Sequence, residues 1–143
     1  MNSRDVKEYL NRAYRIDERI ASKMEQIELL IPTPGSIAPY DTGAQSSMDY
    51  HKFEDKIVKY IEERERIELE IAGLIEIKRD ISETINLMPN TDERLLLELR
   101  YLCFNTWESI SEKMQLGERH IYRIHGEALL GIERILEGKK YLS

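Results

Sequence analysis

The chain has 143 residues, of which 41% are hydrophobic and 34% are charged, a balance typical of long solvated helices rather than of a thick globular core. Its formal net charge of −6 disfavours indiscriminate nucleic-acid binding, because Lys and Arg supply most of the non-specific affinity for phosphates. The single cysteine, Cys103, excludes a disulfide framework within the chain and predicts a reducing compartment. No apolar run approaches the ~18 residues of a membrane span and no signal-peptide pattern occurs. We therefore expect a soluble, cytoplasmic protein with no membrane partner.

The first predicted element is one amphipathic helix from Arg4 to about Ile31. Its apolar side chains recur at alternating steps of three and four, a coiled-coil spacing interrupted only at Asp17. They are Val6, Leu10, Ala13, Ile20, Met24, Ile27 and Ile31. Three prolines and two glycines between residues 32 and 43 then exclude a helix and predict a linker over 32–46. A polyproline-type ligand is the alternative there, and it is disfavoured because the segment has no basic anchor.

The second predicted helix is the longest, from Ser46 or Ser47 to about Leu87. It keeps the three-four alternation for more than five heptads, with only Arg64 and Lys78 polar. The seam consists of Tyr50, Phe53, Ile57, Tyr60, Arg64, Ile67, Ile71, Leu74, Lys78, Ile81, Ile85 and Met88. The first helix can cover part of this seam by folding back antiparallel, and the remainder favours a second subunit. We predict a coiled-coil helical hairpin over 1–88 that forms a homodimer, and the pattern leaves open whether the two helices pair within or between chains.

A second domain is predicted over 89–143. Pro89 ends the long helix, and Asn90 or Thr91 can cap a compact helix that runs from Arg94 to Phe104. Asn105 is then expected to cap the next helix, with Glu108 completing a capping box.

The stretch from Trp107 to Ala128 is typical of a helix-turn-helix. A short amphipathic helix is broken at 115–117, and a second helix should run from Glu118 to about Leu136, with a stop at Gly138. Leu116 is expected to pack between the two helices, while Gly117 is expected to supply a backbone free of Cβ constraint. In a DNA-binding version the second helix lies in a major groove; the alternative is an ordinary turn in a small helical bundle. Gly126 and Gly131 are each unfavourable inside a helix and predict close approach of another helix or of a phosphate backbone.

Segments 92–102, 107–116 and 121–129 resemble region 4 of sigma-70-type transcription factors, and the whole chain is similar to phage transcriptional regulators of the ArpU and RinA kind. The resemblance implies an all-α fold in which long antiparallel coiled-coil helices are followed by a small helix-turn-helix domain. It also implies a dimeric, sequence-specific regulator of phage or prophage late genes, with double-stranded DNA as partner. The hydrophobic frame of the motif is assigned to Trp107, Ile110, Met114, Leu116, Ile121, Ile124 and Ala128. The DNA-facing positions are assigned to Arg119, His120, Tyr122 and Arg123, and Lys113, Lys139 and Lys140 are expected to add charge toward the DNA backbone.

This sequence departs from the family pattern in the turn and in charge. Gly117 stands where the family commonly has Ser, and the acidic Glu118 and Glu127 flank the DNA-facing residues. Residues 1–89 carry 18 acidic and 13 basic side chains, whereas residues 90–143 carry 9 and 8. Since the second part is only near neutral, a dimer or a protein partner should be needed for tight binding.

Catalysis has little support in the sequence. His51, His120 and His125 include no i, i+4 pair that could place two metal ligands on one helix face, and Cys103 has no partner nearby in the sequence. No glycine-rich phosphate loop or nucleophile elbow occurs. We therefore expect no enzyme activity, no metal and no cofactor. The alternative to DNA binding is a structural or adaptor coiled coil whose terminal hairpin binds a protein such as RNA polymerase or a phage morphogenesis factor.

Overall fold

The computed structural model describes residues 1–32 and 46–142, with side chains described for 1–32 and 50–140. These residues form helices and contain no strand, which confirms the all-α expectation. The elements are α1 (Ser3–Asn11), α2 (Ile16–Leu30), α3 (Ser46–Asn86), α4 (Thr91–Leu97), a π-helical segment (Glu98–Leu102), α5 (Trp107–Met114) and α6 (Glu118–Leu142). Apart from its end residues, the linker predicted at 32–46 lies outside the described residues. Within the described ranges, no helix is both long enough and apolar enough to cross a bilayer.

The amino-terminal segment is two helices, so the prediction of a single helix from Arg4 to Ile31 was wrong. α1 starts with a capping box in which Asn2 and Asp5 exchange hydrogen bonds of 3.0 and 3.1 Å. It ends at Asn11, and the chain turns through Arg15, whose φ of 56° is left-handed. After this turn the buried side of α2 no longer follows the predicted spacing. Lys23 is only partly exposed, whereas Met24, a predicted seam residue, is more than half exposed.

The structure divides into two compact units, one formed by Met1–Ile16 with Ile75–Ser143 and the other by Asp17–Leu74. The first unit has a large apolar core that joins α1, the end of α3, α4 and α6. Its buried members are Val6, Leu10, Ala13, Ile81, Ile85, Met88, Leu97, Tyr101, Ala128, Leu129 and Ile132. The boundary predicted between residues 88 and 89 falls inside this unit, since Met88 is only 1% exposed and belongs to its core.

A second, smaller core in the same unit lies among α4, α5 and α6. Leu96, Ile110, Ile121 and Ile124 are buried there. Leu99, Trp107, Met114 and Leu116 pack against them. The predicted hydrophobic frame therefore divides between the two cores, because Ala128 belongs to the larger one.

In the other unit, α2 and α3 contact each other within one chain. Lys23 Nζ lies 2.6 Å from Glu70 Oε2, and Leu30, Ile31 and Tyr60 line a common cavity of about 390 Å³. The sheltered positions of α3 follow the predicted seam. Outside that seam, Val58, Ile61 and Leu69 remain 53, 47 and 75% exposed.

The segment after Pro89 differs in detail from its prediction. Asn90 caps α4 as expected, since its side chain accepts a hydrogen bond of 3.0 Å from the Glu93 N–H. The predicted helix to Phe104 was wrong, because α4 ends at Leu97, a π-helical turn follows and Phe104 has a left-handed φ of 58°. The π-helical turn includes Tyr101, which is buried in the larger core.

Candidate functional site

The N-cap of α5 lies one residue later than predicted. The side chain of Thr106, not Asn105, accepts the capping hydrogen bond from the Ser109 N–H, at 3.1 Å. Asn105 precedes the N-cap and binds two side chains of α5. Its Oδ1 accepts hydrogen bonds from Ser109 Oγ at 2.9 Å and from Lys113 Nζ at 2.5 Å. The predicted capping box of Asn105 and Glu108 was therefore wrong, and the Lys113 amine makes a hydrogen bond within the fold.

The turn between α5 and α6 is closed by Gln115 rather than by glycine. Gln115 adopts φ 57° and ψ 41°, the left-handed conformation that commonly terminates helices. The Leu116 N–H donates to the Ser111 carbonyl at 3.1 Å, and the Ser111 hydroxyl donates back to the Leu116 carbonyl. Gly117 has no positive φ, and a Cβ placed on it would meet nothing within 4 Å. The role predicted for Gly117 was wrong, whereas Leu116 packs against the small core as expected.

A buried polar pair lies beside the small core. The Tyr101 hydroxyl and His125 Nε2 are 2.7 Å apart, and His125 is 8% exposed. Burial lowers the pKa of His125 from 6.5 to about 4, and the positive charges of Lys7 and Arg100 act in the same direction. Burial also raises the pKa of Tyr101. His125 is therefore a neutral packing residue near pH 7.

Trp107 connects this pair to the surface of α6. Its ring centroid lies 4.7 Å from that of His125 and 5.4 Å from that of Tyr122. The Arg100 guanidinium lies 4.4 Å from the Trp107 ring centroid, within the range of a cation–π contact. Trp107 thus packs against the Tyr122 ring, although Tyr122 is 52% exposed.

One side of α6 is polar and uncovered. Because Ile121, Ile124 and Ala128 face the cores, the 3.6-residue period turns Arg119, Tyr122 and Arg123 outward. These three residues are exposed and His120 is partly exposed, and we call the four together the α6 face. Among the described residues, no hydrogen bond or ion pair holds the side chains of Arg119, His120 or Arg123. The face is therefore available to a partner without breaking polar contacts of those three side chains.

Lys139 and Lys140 lie at the other end of the same helix. They follow Arg119 by 20 and 21 residues, or about 30 Å at the rise of an α-helix. Lys139 Nζ donates to the hydroxyl of Thr84 at 2.6 Å and lies 3.7 Å from Asp80. The stop predicted at Gly138 was wrong, because α6 continues to Leu142.

A polar cluster on α1 and α3 explains why the Lys139 amine is held there. The Tyr9 hydroxyl donates to Asp80 and lies 2.9 Å from the Thr84 hydroxyl, and Thr84 is fully buried. Burial and the neighbouring Asp80 carboxylate raise the pKa of Tyr9. Lys139 of α6 joins this cluster, and the Asp80 carboxylate partly compensates its positive charge within the fold.

Two residues that shape the site, Arg100 and Tyr101, were not predicted from the sequence. Arg100 lies on Trp107, and Tyr101 holds His125. Both belong to the π-helical turn, which the apolar spacing did not distinguish from a plain helix. In the described ranges, no group of three or more His, Cys, Asp or Glu residues is arranged to hold a metal ion.

The described chain is thus an all-helical protein with an exposed cationic face on its last helix. It belongs to the family described as "Protein of unknown function (DUF1492)", whose model matches residues 43–133. This range includes the turn at 115–117 and the whole α6 face. No curated protein and no solved structure matches the chain.

Proposed function

We propose that the protein is a sequence-specific DNA-binding transcriptional regulator of phage or prophage late genes, which acts in the cytoplasm as a dimer. The observation that carries this proposal is the α6 face: exposed Arg119, Tyr122 and Arg123 on a helix that follows a short helix and a three-residue turn. This order of elements matches a helix-turn-helix, whose second helix enters a major groove with its amino-terminal residues toward the bases. The resemblance to sigma-70 region 4 supports the same placement.

The chemistry of the face suits groove recognition. An Arg guanidinium can donate two parallel hydrogen bonds to guanine O6 and N7, the commonest specific contact in the major groove. Arg119 and Arg123 are four residues apart, so both can project from one side of α6. Tyr122, held by Trp107, can contact a phosphate or a thymine methyl group. The Arg100–Trp107–Tyr122 contacts would keep the face rigid before it meets DNA.

Two features support a dimer, namely the low net charge of residues 90–143 and the exposed apolar residues of α3. With residues 90–143 near electrical neutrality, one copy makes few phosphate contacts, and two linked copies would gain affinity through effective concentration. We propose that α2 and α3 form an antiparallel coiled coil within each chain. The antiparallel direction is supported by two pairs of neighbouring residues. Lys23 of α2 lies beside Glu70 of α3, and Leu30, further along α2, lines a cavity with Tyr60, which comes earlier in α3. Exposed Val58, Ile61 and Leu69 would then be covered by the second copy.

The test is selection of bound sequences from a random DNA pool with the full chain, followed by gel shifts over a range of salt concentrations. We expect a defined site, or a pair of half-sites, and an affinity that falls as salt rises. Arg123→Ala should lose selective binding while helicity is unchanged. Arg134→Ala removes the same charge further along α6 and is the matched control, which should weaken selective binding far less. Equal effects of the two substitutions would contradict the assignment of the face.

The second candidate function is a structural or adaptor coiled coil that binds another protein, such as RNA polymerase or a phage morphogenesis factor. The observation that favours it is the same exposed apolar set, Val58, Ile61 and Leu69. Two results together would support this function over DNA binding: no DNA sequence is selected from the random pool, and the protein binds purified RNA polymerase.

A further inference from the structure

Gly126 lies in the middle of α6, where glycine is the least favourable residue after proline. It costs about 1 kcal/mol relative to alanine inside a helix, because its backbone loses more freedom on folding. This cost can be offset where a close neighbour occupies the space that a Cβ would need. Of the three glycines of α6, only Gly131 has such a neighbour, whereas Gly126 and Gly138 have none within 4 Å.

Gly131 has such a neighbour and Gly126 does not. A Cβ on Gly131 would lie 2.6 Å from Met88 Cε and 3.0 Å from Met88 Sδ, so this glycine lets the end of α3 approach α6. A Cβ on Gly126 would meet nothing within 4 Å, and the residue is exposed. The described fold thus gives no internal reason for the missing side chain at 126.

The position of Gly126 relates it to the α6 face. It lies three residues after Arg123 and four after Tyr122, which places it beside both on the helix surface. Arg119, one turn before Arg123, adds a second positive charge, so this side of α6 suits an anionic partner. Glu127 adds a negative charge at the edge of this side, because it lies four residues after Arg123 and about 100° around the helix from Gly126.

We propose that Gly126 is the point where the sugar–phosphate backbone of bound DNA passes against the main chain of α6, closer than any side chain would allow. The inference rests on the proposed function and adds to it a positioning residue that sets how deeply α6 enters the groove. The arginines reach the base edges only when the helix lies at that depth. A methyl group at 126 would hold the helix away from the groove, although it improves the helix itself.

Substitution of Gly126 by alanine should therefore have opposite effects on two quantities: the stability of the fold should rise and the affinity for DNA should fall. The test compares full-length wild type, Gly126→Ala and Gly73→Ala, using thermal unfolding and titration of the selected DNA. Gly73 is the matched control, since it is also an exposed helical glycine with nothing within 4 Å of a Cβ, and it lies on α3. Both substitutions should raise Tm by roughly 3–6 °C. Only Gly126→Ala should weaken DNA binding, by tenfold or more, with unchanged oligomeric mass.

The possible failures are distinguishable. If wild type selects no DNA sequence, the proposed function fails and this inference with it. If wild type binds and Gly126→Ala binds equally well, the function stands and the inference is overturned. A lower Tm for Gly126→Ala would overturn it too, because the space would then be needed by the fold. Loss of dimer mass in Gly126→Ala would also overturn it, since the bare position would then face a protein helix.

Discussion

Protonation of His125 should destabilise the first compact unit as the pH falls. His125 is buried against Trp107 and Tyr101 with a pKa of about 4, below the value of 6.5 that it has when exposed. A base whose pKa is lowered by folding binds its proton more tightly in the unfolded chain. The folded state therefore keeps its full stability above pH 6.5, where His125 is neutral in both states, and loses stability as the pH falls from there toward 4.

The size of the effect follows from the two pKa values. Each unit of difference is about 1.4 kcal/mol, so full protonation costs roughly 3 kcal/mol of unfolding free energy. At pH 5.0 the unfolded histidine is almost fully charged and the folded one is mostly neutral, which gives a loss of about 2 kcal/mol. A typical domain has ~5–15 kcal/mol in total, so this loss is easily measured.

The assay is urea denaturation at pH 7.5 and pH 5.0, followed by the fluorescence of Trp107, the single tryptophan of the chain. Wild type should lose about 2 kcal/mol more between these pH values than His125→Gln, which cannot take up the proton. Comparison between the variants cancels the titration of carboxylates shared by both. His51→Gln removes an exposed histidine instead and should keep the wild-type loss. The same pH dependence in wild type and His125→Gln would refute the argument.

Three further substitutions test local geometry by urea denaturation at pH 7.5. Gln115→Gly should stabilise the protein by up to ~1 kcal/mol, because glycine adopts a left-handed φ without strain; a net loss would show that the Gln115 side chain contributes contacts. Gly131→Ala should leave the protein ~1–3 kcal/mol less stable than Gly126→Ala, since its methyl group meets buried Met88, and equal stabilities would mean that Met88 moves aside freely. Thr106→Ala should cost about 1 kcal/mol by removing the cap of α5, whereas no change would assign that role to Asn105.

The sequence predicted the helices well where apolar spacing decides the structure. The long helix was predicted to end near Leu87 and ends at Asn86, and the seam residues Ile67, Leu74, Ile81 and Ile85 are buried. Spacing could not show the break after Asn11, because helices on either side of a tight turn can keep an approximate three-four alternation. It also could not show the π-helical turn, which depends on how Tyr101 enters the core in three dimensions.

The site was predicted unevenly for similar reasons. Exposure of Arg119, Tyr122 and Arg123 follows from one helix period, so it could be inferred from Ile121, Ile124 and Ala128. The amine of Lys139 donates a hydrogen bond to Thr84, which lies 55 residues away in the sequence. No local sequence pattern predicts such a contact. Gly117 was predicted, on residue type alone, to supply the backbone freedom that the turn needs, whereas the residue with a left-handed φ is Gln115.

The discontinuous make-up of the first unit has a consequence during synthesis. Val6 and Leu10 are synthesised more than a hundred residues ahead of Ala128, Leu129 and Ile132, which complete their core. At elongation rates of ~5–20 residues per second, α1 is exposed for on the order of ten seconds before these partners are made. During that interval its apolar side is open to chaperones and to neighbouring nascent chains, so translation speed can influence how much of the protein reaches its native state.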